Sequence, residues 1–242
     1  ESITAWAARR AGKMSIALGN HYSYHYDIPI AEYNFLTHTF IKESAPADVY
    51  LGLHWNHFGH PILPPLVNPV DLRPSDPDKI LVYMNQENLN EVIAMLNPFK
   101  GKNFFIYSSR VSAASDTGNI SLRPLSHDGF HNDLADCGGI ICNAGFELSS
   151  EAIQFGKKLL VKPLDGVMEQ ASNALTLERL NLGSAMKTLD TKTVAKWIER
   201  NDYAKATYPN VAEGFAEWVM RRDWNNPAPL IREMWERTKF SP

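Results

Sequence analysis

The chain has 242 residues, 44% of them hydrophobic and 21% charged, with a formal net charge of −3. That supplies a core for one large or two medium domains, and no basic run exceeds Arg221-Arg222 or Lys157-Lys158, which argues against nucleic-acid binding. No apolar run approaches ~18 residues, so no transmembrane helix is expected; Cys137 and Cys142, too far apart on an extended segment to bridge, fit a reducing compartment.

The chain starts at Glu1 rather than Met and shows no signal-peptide pattern. Helical periodicity begins at once (Ile3, Ala5, Trp6, Ala7, Ala8) and ends at Gly12. A chain that opens inside a fold is expected to be a fragment. Met14, Ile16 and Leu18 alternate, predicting a strand over 13–19, followed by a polar aromatic loop from Asn20 to Tyr26. A helix is predicted over 31–43, with Tyr33, Leu36 and Phe40 on one face, then a strand over 47–53. His54, His57 and His60 follow at three-residue spacing, but Gly59 and Pro61 make this a loop. A structural zinc site would add Cys or a second pair, so these imidazoles are read as packing groups.

Pro64, Pro65, Pro69, Pro74 and Pro77 preclude a helix over 63–78 and mark a semi-rigid connection, which includes Asp76-Pro77-Asp78. The alternation then restarts: a strand over 80–84, a helix over 87–96, strands over 103–107 and 119–122, and a helix over 130–134. Gly139–Cys142 reads as a short buried strand that stops at Asn143-Ala144-Gly145. A helix follows, with Phe146, Leu148, Ala152, Ile153 and Phe155 as its apolar face. A second strand, 158–162, ends at Pro163 and leads through a loop to a helix over 168–182. Helices over 194–200, 211–222 and 228–238 close the chain, with Trp218, Trp224, Met234 and Trp235 as packing anchors. Strand and helix in alternation predict an α/β fold with parallel sheets flanked by helices.

Strand, small-residue turn and helix start point backbone N–H groups and a positive dipole end at an anion. Two such junctions in succession lie side by side at the carboxyl edge of a parallel sheet, where α/β folds bind ligands. Glu151 stands about two turns into the first helix, placed to receive a diol such as a ribose, and Glu169, Gln170 and Asn173 bracket the start of the second. Singly these features are ordinary: turn glycines, a solvated glutamate, a capped helix start. Phosphate at the first helix, ribose at Glu151 and a sugar at the second loop would together make a nucleotide-sugar site.

The run Asn143-Ala144-Gly145, Glu151-Ala152, Gly156, Pro163, Glu169-Gln170, Asn173-Ala174 and Gly183 resembles the donor half of GT-B glycosyltransferases. It is similar to the transferase that adds N-acetylglucosamine to a lipid-linked peptidoglycan precursor, and closer still to a broad bacterial and archaeal group of predicted glycosyltransferases. Ala144 stands where Gly or Ser is common, and Lys157-Lys158 where x-Pro is usual.

The resemblance implies two Rossmann-like lobes, the first incomplete. Residues 1–74 would be the remainder of the acceptor-side lobe with its linker, 75–224 the nucleotide-sugar lobe, and 225–242 a helix that either crosses back to the first lobe or ends a terminal bundle on the second. It implies transfer of a sugar from a nucleotide donor, UDP-linked, to an acceptor hydroxyl. Asn143, Ala144, Gly145, Phe146 and Glu147 would sit at the diphosphate, Glu151 at the ribose, and Glu169, Gln170 and Asn173 at the sugar. Arg123, Pro124 and Leu125 would hold the base through the backbone, and Asn85 and Gln86 would replace a glycine-rich loop near the diphosphate. His21 is the acid–base candidate. No cofactor or metal is implied. The acceptor would be a lipid-linked or cell-envelope glycan, with the protein cytoplasmic and peripheral at the inner membrane face. A nucleotide-sugar 2-epimerase or a non-catalytic nucleotide-sugar-binding lobe are the alternatives.

Overall fold

A computed structural model describes residues 2–31 and 44–241; the helix predicted over 31–43 lies almost wholly outside them. Helix α1 (Ser2–Arg10) leads to β1 (Ile16–Gly19). Strands β2 (Val49–Leu53) and β3 (Ile62–Leu63) pair with it in a parallel sheet of order β1-β2-β3. The segment after β1, expected as an open loop, is instead a 3₁₀ turn, Asn20–His25, with Asn20, Tyr22, Ser23 and Tyr24 buried. Asn20 Nδ2 and Ser23 Oγ both donate to Leu53 O at 3.0 Å, so the strand's last carbonyl takes up two of the donors that the turn brings inside. The close approach needs Gly52, where a Cβ would stand 2.5 Å from Ser23 Oγ.

The longer sheet begins with β4 (Asp76–Tyr83) and continues through α2 (Leu89–Leu96), β5 (Asn103–Tyr107), β6 (Ser115–Thr117) and β7 (Ile120–Arg123). Then follow α3 (His127–Asp136), β8 (Cys137–Asn143), α4 (Phe146–Gln154) and β9 (Lys158–Lys162). Helix α5 (Met168–Arg179), β10 (Ser184–Ala185) and α6 (Thr191–Glu199) complete it. The sheet order is β10-β9-β8-β4-β5-β7-β6, and β6, antiparallel to β7, is a hairpin partner turned at Gly118 (φ 60). Ile80, Val82, Phe104, Ile106, Ile141 and Leu160 pack against Val92, Met95 and Leu96 of α2 and Val194 and Trp197 of α6.

One expectation is corrected here. Asp76-Pro77-Asp78 is not part of the connection but opens β4, where the pairing with β8 slips between Asp76 and Ile80; a proline is tolerated in a strand at such an irregularity. Lys102 Nζ lies 2.6 Å from Asp78 Oδ1. The strand predicted from Gly139 is present as β8 and starts two residues earlier, so that Gly138 also lies inside it. A Cβ on Gly138 would stand 2.6 Å from Pro77 Cα, and one on Gly139 would stand 2.8 Å from the Trp197 ring, so close packing requires both glycines. Cys137 and Cys142 are free and buried on β8, and burial pushes their thiols up to about 11 and about 12.

The chain ends with β11 (Lys205–Thr207), α7 (Val211–Arg221), α8 (Ala228–Arg237) and β12 (Lys239–Ser241). The molecule divides into two compact units: the chain up to Val67 together with Ala206–Phe240, and Asn68–Lys205 with the last two residues. Within the first, Trp235 Nε1 donates to Ile62 O at 2.7 Å, fixing α8 on β3. No helix among the described residues is long and apolar enough to cross a membrane.

Candidate functional site

In the second unit, chain order runs outward through β4, β5 and β7 on one side and through β8, β9 and β10 on the other. The order therefore reverses between β4 and β8. Outside the carboxyl ends of strands at such a reversal, α/β sheets leave a crevice for ligands.

The helices that start along this edge differ. Three are capped by a side chain: Asn88 accepts from Asn90 N at α2, Ser126 from Gly129 N at α3, and Asp190 from Lys192 N and Thr193 N at α6. Helices α4 and α5 begin at Gly145 and Val167 with no side-chain cap. A Cβ on Gly145 would meet nothing within 4 Å, so the start of α4 opens onto free space. Such a helix end is a ready anion site.

Beside it lies a cavity of about 310 Å³. Tyr83 and Tyr107, the last residues of β4 and β5, form one wall with Phe130, whose ring meets theirs edge-on at 5.6 and 5.3 Å. Leu125, Ser126, His127, His131, Glu147, Leu148 and Glu151 complete the lining. The Tyr107 hydroxyl donates to Asp133 Oδ2 at 2.6 Å. Burial and that carboxylate raise its pKa, keeping it protonated. The His127 and His131 rings lie 4.2 Å apart. Burial lifts the Glu151 carboxyl above its ordinary range and Glu147 adds to the rise, while His131 and His127 oppose it. The cavity joins an aromatic slot suited to a planar base with a carboxylate able to accept from hydroxyls, next to an open helix start.

Of the residues singled out from sequence, Glu147, Glu151 and Leu125 line this cavity, and Gly145 and Phe146 form the α4 start. Asn143 ends β8, its Nδ2 donating to Glu87 Oε1 and to Lys162 O, both at 3.1 Å. Ala144 is buried, and its carbonyl accepts from Asn173 Nδ2 at 3.0 Å. Asn173, expected at a donor sugar, is thus fully buried behind the loop, which it braces. Gln170 Oε1 accepts from Leu164 N at 3.0 Å and ties the β9–α5 loop to its helix. Glu169 is half-buried, its carboxyl raised by burial and by Glu147.

Arg123 turns away toward the hairpin, with NH1 2.8 Å from Asp116 Oδ1, and Pro124 connects it to Leu125. Asn85 Oδ1 accepts from Ser109 N at 2.9 Å, so its carboxamide holds a neighbouring loop. Sequence pattern does not single out Tyr83, Tyr107, Phe130, His127 or His131. The available signal was positional: Tyr83 and Tyr107 end successive parallel strands, and His127 and His131 stand one turn apart on α3.

In the first unit, His21 is partly exposed on the 3₁₀ turn, its ring edge-on to Tyr22 at 5.7 Å. Burial pushes the His54 imidazole down to about 3, with Nδ1 accepting from Trp55 N. His60 stacks on Tyr26 and His57 packs against Trp235. Among the described residues, no three His, Cys, Asp or Glu side chains are grouped so as to hold a metal ion.

Residues 21–201 match the model of Glycosyl transferase family 1. Among solved structures the chain is similar to CalG4, the calicheamicin glycosyltransferase, with a TM-score of 0.53 at 14% identity, covering 80% of this chain and 60% of that one. It is similar also to MurG of Acinetobacter baumannii (TM-score 0.49, 16% identity, 96% and 64%) and to the glycosyltransferase SnogD from Streptomyces nogalater (0.45, 13%, 83% and 56%). The CalG4 likeness bears on the fold alone. The chain spans 56% to 64% of the lengths of these three solved structures. No curated protein matches it.

Proposed function

The chain belongs to glycosyl transferase family 1, and from that premise we propose that its second unit holds the nucleotide-sugar donor of a glycosyltransferase, with a UDP-sugar as donor. The observation that carries this reading is the cavity of about 310 Å³ between the aromatic strand ends and the uncapped start of α4.

In this reading the base enters the slot walled by Tyr83, Tyr107 and Phe130, within reach of the backbone around Leu125. Glu151, as the carboxylate, accepts from the ribose hydroxyls. The diphosphate lies at the start of α4, where N–H groups from Gly145 to Glu147 and the helix dipole oppose its charge. Bond cleavage at the anomeric carbon builds charge on the departing diphosphate. Donors already aimed at it then need no reorganisation in the transition state. The helix end supplies this without a divalent ion, so activity is expected to survive a chelator. Glu169 and Gln170, at the neighbouring uncapped start of α5, are assigned to the sugar, and His21 is the acid–base residue to test. The acceptor proposed is a hydroxyl of a lipid-linked or cell-envelope glycan, on the strength of the sequence pattern shared with the peptidoglycan-precursor transferase.

Calorimetric titration with UDP, GDP, ADP and dTDP tests the donor reading. Micromolar binding of UDP, weakened in Glu151→Ala, is the expected result. Absence of binding by all four would overturn it, and a preference for another nucleotide would reassign the base. Product analysis with the sugar nucleotide then separates transfer from epimerisation at the sugar's C2 and from binding without turnover.

A further inference from the structure

The loops along the carboxyl edge converge on one residue outside the lining of the cavity described above. Glu87 lies in the loop after β4, and its Oε1 accepts from Asn143 Nδ2 at 3.1 Å and from Lys162 Nζ at 2.9 Å. The Glu87 and Lys162 side chains are only 13% and 9% exposed. Lys162 ends β9 and Asn143 ends β8, so a single carboxylate oxygen joins three loops. A fourth is tied to the same backbone: Arg110 NH1, from the loop after β5, donates to Glu87 O at 2.9 Å and to Asn85 O at 2.8 Å.

Asn143 is the sensitive end of this arrangement. Its carbonyl accepts from Gly145 N at 2.8 Å, closing the turn from which α4 starts. Asn173 braces the intervening Ala144 carbonyl from the other side. A turn held at both ends keeps the helix start in one orientation before any ligand arrives. Pre-set donors of that kind stabilise developing charge best. The loop after β4 contains no glycine, so side chains, not tight backbone turns, set this edge.

We propose that Glu87 is a positioning residue for the diphosphate: through Asn143 it fixes the Gly145 turn and thereby aims the first N–H groups of α4. The assignment deepens the donor-lobe reading and rests on it for the identity of the ligand. Lys162 has the supporting part of balancing the buried carboxylate, since an unpaired charge there would be costly.

The experiment combines amide hydrogen exchange of the unliganded protein over 144–148 with UDP titration and thermal melting. The variants are Glu87→Ala, Asn143→Ser and the double Glu87→Gln/Lys162→Met. Glu87→Ala is expected to speed exchange at this turn by about tenfold or more and to weaken UDP binding by about tenfold. Asn143→Ser removes the same hydrogen bond while leaving the ion pair, and should reproduce both effects in a folded protein. The double variant keeps an acceptor for Asn143 without stranding the ammonium, and should return both readouts to within about threefold of wild type.

Unchanged exchange in Asn143→Ser, or a folded double variant no better than Glu87→Ala, would overturn the proposal and leave the pair as packing. A wild-type protein that binds no nucleoside diphosphate overturns the donor reading instead, and the exchange arm still decides whether Glu87 holds the turn.

Discussion

Helices α3 and α4 border the same cavity, yet their first turns are finished differently. At α3 the Ser126 hydroxyl accepts from Gly129 N at 3.1 Å, so the helix meets part of its own need for acceptors. At α4 the equivalent place is Gly145, with no side chain to offer and open space where one would stand. The contrast extends along the edge: α2 and α6 are capped, α5 is not. The two open helix starts follow β8 and β9, successive strands on one side of the point where strand order reverses. A helix that caps itself gains stability, whereas one left open retains the field and donors that an anion would satisfy. In the proposed reading, the open starts are the part of this edge left for the diphosphate.

The sharpest way to break the contrast is to close α4. Gly145 has φ −68 and ψ 149, an extended conformation that Asp adopts freely. Gly145→Asp should raise the melting temperature slightly, because an aspartate N-cap improves on glycine by a few tenths of a kcal/mol. The same carboxylate would repel a diphosphate and occupy its donors, costing about 2–3 kcal/mol of UDP binding, or roughly 30- to 150-fold. Titration and melting on one sample check both halves. Equal loss of stability and binding would refute the division of roles.

Glu151→Ala comes next. Losing a partly buried carboxylate that accepts from hydroxyls should weaken UDP by about 1.5–2 kcal/mol, roughly 10- to 30-fold, with little change in the melting temperature. Unchanged affinity would remove Glu151 from the ribose.

The pH dependence follows from the same group. If Glu151 accepts from the ribose as proposed, UDP binding needs the ionised carboxylate, so affinity should be full above the Glu151 pKa of the free protein and fall as pH drops through it. Burial raises that pKa from its ordinary 4.5. The loss should therefore begin at a higher pH than for an exposed glutamate, and Glu151→Gln should lack this step. Isothermal titration over a pH series measures it.

The smallest effect concerns the closed side. Asn88→Ala removes the α2 cap, which lies outside the cavity, and should cost about 1 kcal/mol of stability while UDP affinity stays within about twofold. A matching drop in affinity would show that the capped helices share the ligand's role.

The junctions around β8 and β9 were legible because their signals are local. The apolar run before Asn143, Pro163 after Lys162 and the in-phase residues Phe146, Ala152 and Ile153 lie within a few residues of the features they specify. Strand β9 was read with both ends in place. The β6–β7 hairpin escaped notice because Ser115–Thr117 is polar and exposed, leaving no alternation to detect. Strand β10 has two residues, too few for any period. The requirement for glycine at 138 and 139 was not legible, because the indole of Trp197 and the backbone of Pro77, which demand it, are far away in sequence.

The candidate site divides along the same line. Glu147, Glu151 and Gly145 share one helix start, so their grouping follows from spacing. Asn173 belonged to the same polar cluster in sequence, yet helical rotation and the position of Ala144 O turned it inward. Tyr83, Tyr107 and Phe130 come from three elements, and no short-range pattern could join them.

The sequence by itself therefore determined the alternation of strand and helix, the open start at Gly145 and the carboxylate one face along from it, since each depends on neighbours in the chain. Tertiary structure decided the strand order that opens the crevice, the aromatic wall and the convergence of four loops on Glu87. Those depend on which strands pair and which carbonyls and ammonium groups are left to be satisfied, and such partners lie as far apart in the chain as Glu87 and Lys162.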